Sequence, residues 1–125
     1  MTTINAIDYD GKRFSPVADG APEESRVAVY RQEGDLLWGE FLGGRARRGT
    51  LTGTVLPDGR LDFAYCMVLD GGEVVSGHCT STPQVLADGR VRLNEVWERF
   101  GAHADSGVSV IEEIPRRGEH DTSVS

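Results

Sequence analysis

Long apolar runs are missing from this chain. No stretch approaches the roughly 18 consecutive apolar residues of a membrane-spanning helix. The opening "MTTINAIDYDGKRF" also lacks the charged-then-apolar order of a secretory leader. We therefore expect a cytoplasmic protein with no membrane partner. Cysteine is sparse, two in 125 residues, and without a secretory context both are expected as free thiols. Histidine is sparser than a metal centre needs. His78, His103 and His120 have no partner at i+2 or i+4, so no metal site is expected. Basic charge is in deficit: 13 Lys and Arg stand against 20 Asp and Glu, a net charge of −7. That argues against nucleic acid, whose binding needs cations to neutralise phosphates. The one basic cluster, Arg45, Arg47 and Arg48, reads as a solvated hairpin end. Neither a phosphate-cradling loop nor a dinucleotide fingerprint occurs, so no cofactor is expected.

Sustained helical periodicity is absent as well, and what remains is strand and turn. Asp10-Gly11, Asp19-Gly20, Gly34-Asp35, Gly43-Gly44, Asp58-Gly59, Asp70-Gly71-Gly72 and Asp88-Gly89 read as tight corners, because Gly and Asp tolerate positive φ. Between them lie strand-like runs: "RVAVYRQ", "LLWGEFL", "GTLTGTVL", "RLDFAYCMVL", "EVVSGHCTST", "VRLNEVWERF" and "GVSVIEEI". With a further strand near Arg13–Val17, these make an all-β, antiparallel up-and-down meander. Closing it into a small barrel of about eight strands removes the exposed edges. One barrel domain is expected over 9–115, with a loose start at 1–8 and a disordered tail at 116–125.

If each corner is a two-residue loop, residues directly opposite share a face. That rule assembles an interior of Tyr30, Leu37, Phe41, Thr50, Thr52, Thr54, Phe63, Tyr65, Met67, Ser76, His78, Thr80, Leu93, Glu95, Trp97 and Arg99. Asp62, Cys66, Cys79, Arg92, Asn94 and Glu98 then face outward, with Trp38 and Glu40. In "SGHCTSTPQ" the imidazole of His78 and the thiol of Cys79 fall on opposite faces, so they form no nucleophilic pair.

An interior mixing aromatic and ionisable groups suits a small-molecule pocket. The candidate catalytic residues are His78, Glu95, Tyr65 and Arg99, of which one or two would do acid/base work. Tyr30, Phe41, Thr52, Phe63, Met67, Ser76, Thr80 and Trp97 would line the ligand. The same polar groups could instead form a paired network that fixes register. Two functions follow: a cofactor-free cyclase or isomerase acting on a small, largely apolar substrate, or a non-catalytic carrier or sensor of such a molecule. A third option is a packed barrel whose outer surface, including Trp38, and Phe41 if the register differs there, forms a homodimer interface.

"SGHCTSTPQVLADGRVRLNEVWERF" followed by "DSGVSVIEEI" resembles short bacterial proteins catalogued as N-acetylglutamate synthase, which are similar in pattern to calycin-like (lipocalin-type) barrels. The resemblance spans roughly Tyr9 to Ile114, departs at His103-Ala104, and implies a calycin-like barrel. The chain has no helix start able to grip a pyrophosphate, so acetyl transfer from acetyl-CoA is not expected.

Overall fold

The computed structural model describes residues 7–18, 21–22 and 26–115. The expected loose start and disordered tail lie largely outside these residues. Ile7 and Asp8 are described, and Ile7 packs against the core. Among the described residues nine strands run in order: β1 (Arg13–Ala18), β2 (Ala21–Pro22), β3 (Val27–Glu33), β4 (Leu36–Gly43), β5 (Ala46–Val55), β6 (Leu61–Leu69), β7 (Val74–Val85), β8 (Val91–Arg99) and β9 (Asp105–Glu113). A single 3₁₀ turn, Gly101–His103, joins β8 to β9. Each strand from β3 to β9 pairs antiparallel with the next, and β1 pairs with both β3 and β9. The result is an eight-strand calycin-like meander closed into a barrel, with the two-residue β2 folded back on β1. Closure leaves no free edge among the eight.

Corner length decides which side chains enter the barrel. Three corners share one geometry. In Leu56–Arg60, Leu69–Glu73 and Leu86–Arg90, the first residue's N–H donates to the last residue's carbonyl, and the Gly N–H at position four donates back. That is a three-residue loop with glycine at positive φ: 91° at Gly59, 92° at Gly72 and 93° at Gly89. A three-residue loop shifts register by one relative to a two-residue loop, and one step exchanges the two faces of a strand. The corner before β5 adds a bulge between Phe41 and Gly43.

These shifts correct the expected faces on two strands. On β5, Thr50, Thr52 and Thr54 point outward, while Gly49 and Leu51 are buried. On β7, Ser76, His78 and Thr80 point outward, and Val75, Gly77, Cys79 and Ser81 are buried. The expected outward Cys79 therefore lies inside, and Cys66 remains exposed; both are free thiols. Successive flips cancel, so the expected inward residues of β3, β4, β6 and β8 do face inward. Trp38 faces outward, opposite Arg31 and Thr52.

The barrel is closed at one end. Tyr9, Phe14, Tyr30, Leu37, Leu61 and Leu93 are buried there. Tyr9 lies across the opening and donates from its hydroxyl to the Gly59 carbonyl at 2.8 Å. Phe14 and Tyr30 each sit 6.4 Å from its ring centroid. Around this rim, Glu112 accepts from Arg92 at 2.6 Å, and Glu113 accepts from Lys12 at 3.1 Å and the Val91 N–H at 3.0 Å. Both carboxylates of "VIEEI" are thus taken up in tying the ends of β8, β9 and the N-terminal segment together.

Candidate functional site

The opposite end of the barrel holds a cavity of about 350 Å³. It exists because bulky inward rings lie flat over glycines of neighbouring strands. A side-chain carbon at Gly107 would meet the Trp97 indole at 2.7 Å, and one at Gly77 would meet the Tyr65 ring at 2.6 Å. At Gly49 it would overlap the Phe41 ring. Register places each pair directly opposite: Phe41 with Gly49, Tyr65 with Gly77, and Trp97 with Gly107. Glycine lets the ring fold against the wall, which supplies aromatic surface and leaves the lumen open. Phe41 and Tyr65 meet edge to face at 6.5 Å.

Glu95 is the chief polar feature of the interior. Its β8 position sets it opposite Ser81 on β7 and Ser109 on β9. Ser109 donates to one carboxylate oxygen at 3.0 Å, and Ser81 donates to the other at 3.2 Å. The Cys79 thiol approaches that second oxygen at 3.7 Å. Glu95 is shielded from bulk solvent yet keeps surface toward the cavity. Burial raises its carboxyl above the usual range, and the three donors only partly offset this. The Cys79 thiol is pushed up to about 12 by burial, then by Glu95, so it is a poor nucleophile. Tyr30 is buried and its phenol is raised by burial and by Glu95.

Arg99 and Arg26 stand at the mouth. The Arg99 guanidinium lies 5.5 Å over the Trp97 ring, within cation–π range. Tyr65 donates to the Glu98 carbonyl at 3.0 Å. Its phenol is raised by burial, against the opposing pull of Arg99.

Of the residues expected at a site, the cavity gathers Tyr65, Glu95, Arg99, Tyr30, Phe41, Phe63, Met67 and Trp97. Thr52, Ser76, His78 and Thr80 are on the outer wall, for the corner-length reason above. His78 pairs there with Asp62 and stands opposite Glu98. The residues missed include the neighbours of Glu95 (Ser81, Ser109 and Cys79) and the lining residues Arg26, Ala28, Leu51 and Ile111. Once Glu95 faces inward, its directly opposed neighbours must as well, so the correct register alone names both serines. Among the described residues, no group of His, Cys, Asp and Glu could hold a metal.

A buried acid whose folded-state pKa is raised stabilises the fold fully at low pH. That contribution is lost as pH rises through the folded pKa. Glu95→Gln removes the titration and keeps an acceptor for the serines. Its unfolding free energy is therefore expected to gain on that of the wild type as pH rises from 4 toward 8. Urea denaturation across that range checks it; parallel curves would exclude a buried, raised Glu95.

A family model described as avidin-like protein matches residues 7–114, and the chain belongs to that family. No curated protein and no solved structure matches it.

Proposed function

We propose that this avidin-like barrel binds one small organic molecule in its interior cavity. The observation that supports this most is the cavity itself, about 350 Å³ with aromatic walls and a single buried carboxylate. Small-ligand sites have this makeup: mostly apolar lining, with a few polar groups that fix orientation. A volume of that size suits a molecule with a substantial apolar part. Carriage or sensing is the favoured role, because His78, one of the expected acid/base residues, is on the outer wall.

Catalysis as a cofactor-free cyclase or isomerase is the second reading, and one observation favours it. Glu95 is held with a raised pKa, the setting in which a carboxyl can give or take a proton near neutral pH. Here Tyr65 and Arg99 would orient the substrate.

Filling the cavity tests the binding reading. Ala28 lines it, so Ala28→Phe is expected to abolish fragment binding seen by ligand-observed NMR on the wild type. Equal binding by both proteins would overturn the interior site. His78→Ala is expected to leave fragment affinity unchanged within about twofold, since a group on the outer wall touches no interior ligand. For the catalytic reading, Glu95→Gln must lose turnover while still binding.

A further inference from the structure

The charges of the cavity are arranged in order along its depth. Glu95 is deep, and every group that contacts it is neutral: Ser81, Ser109 and Cys79. No cation is among the groups that shift it. A buried carboxylate must either keep its proton or find a counter-charge. Aromatic rings line the same cavity, and a ring face attracts a cation. Tyr30 is buried and lines the cavity beside Glu95; burial, then the charge of Glu95, raises its phenol. A phenol oxygen can accept from an ammonium.

The outer end carries the opposite sign. Arg99 lies four residues beyond Glu95 on the same inward face of β8, about 13 Å along the strand at the usual rise. Arg26 stands at the mouth, packed against Gly44. The interval is walled by Trp97, Tyr65, Phe63 and Phe41.

We propose that the cavity takes a short-chain molecule with a cationic nitrogen inward against Glu95 and Tyr30, and a carboxylate outward against Arg99. This is the class of ω-amino carboxylates. The inference rests on the interior-site reading above and specifies its ligand. The ammonium supplies the counter-charge that the protein itself does not place beside Glu95. The methylene chain packs along the rings. The guanidinium of Arg99, already held over Trp97, offers a forked donor pair to the carboxylate.

Four probes that share a six-carbon chain separate the ends: 6-aminohexanoate, hexylammonium, hexanoate and 1-hexanol, titrated into the full chain by isothermal calorimetry at pH 7.5. 6-Aminohexanoate is expected to bind about tenfold or more tighter than hexanoate or 1-hexanol, because a desolvated charge pair outweighs its neutral counterpart. Glu95→Gln is expected to lower its affinity about tenfold and to leave 1-hexanol unchanged. Arg99→Met is expected to weaken 6-aminohexanoate but not hexylammonium. Hexanoate or 1-hexanol binding as tightly as 6-aminohexanoate would overturn the proposal, as would 6-aminohexanoate affinity indifferent to Glu95→Gln. If a variant fails to fold, the probe series on the wild type decides alone. Should none of the four bind, the dipolar ligand is excluded; the Ala28→Phe fragment comparison then separately decides whether the cavity is a site at all.

Discussion

Tyr9→Ala is expected to remove about 4 kcal/mol of stability, the usual cost of truncating a fully buried aromatic side chain. For a domain of ordinary stability that is a third or more of the total. The ring is wholly buried and closes the barrel end, touching Phe14 and Tyr30. Its loss leaves a void that strands held by hydrogen bonds around the rim cannot collapse to fill. Tyr9→Phe isolates the hydroxyl. That variant keeps the ring but orphans the Gly59 carbonyl, at an expected cost of about 1.5 kcal/mol. Urea denaturation of the three proteins measures both steps. A Tyr9→Ala protein within about 1 kcal/mol of wild type would mean that the N-terminal segment does not seal the barrel.

The glycines under the rings give the second large effect, and two of them should differ. At Gly77 an added methyl collides with the Glu98 carbonyl as well as the Tyr65 ring. The backbone of β8 cannot yield without breaking its ladder with β7, so Gly77→Ala is expected to cost about 3 kcal/mol or to prevent folding. At Gly107 the nearest three atoms all belong to the Trp97 indole. That ring can swing away into the cavity. Gly107→Ala is therefore expected to fold with a cost of about 1 kcal/mol. Its tryptophan emission should change, and fragment binding should fall, because the indole now occupies ligand space. Equal destabilisation by the two substitutions would contradict the flat packing of rings on glycine.

The meander and its closure were legible because Gly and Asp mark almost every corner and β-branched runs fill the intervals. The faces of β5 and β7 were not, since parity depends on whether a corner holds two residues or three. The signal was present. "LPDGR" and "LADGR" are near copies thirty positions apart, and in both the Asp side chain accepts from the Arg N–H two residues on, at 3.1 and 3.0 Å. An Asp that braces the following Arg, with Gly between at positive φ, marks a three-residue loop with its bulge. Composition also pointed that way. Leu51 is the one large apolar residue in "GTLTGT", and putting three threonines inside sends it outside. Cysteine is among the most buried residue types, which favoured Cys79 over His78 as the inward neighbour. The two-residue rule puts Glu95, Trp97 and Arg99 inside because four parity errors cancel in pairs, whereas Ser81 and Ser109 require the true register. Tyr9 carried no local signal at all; its burial comes from a chain segment folding across the barrel end, a long-range event.

Thiol labelling compares the two neighbours of "SGHCTST" most directly. In a Cys66→Ser background the native thiol at Cys79 should resist a bulky maleimide until the protein unfolds, because it lies inside and holds its proton. In a Cys66→Ser, Cys79→Ser background carrying His78→Cys, the thiol at position 78 should label within minutes, about as fast as Cys66 does in the wild type. A native Cys79 that labels at the rate of Cys66, beside a protected thiol at position 78, would put the imidazole in the lumen and dissolve the cavity described above.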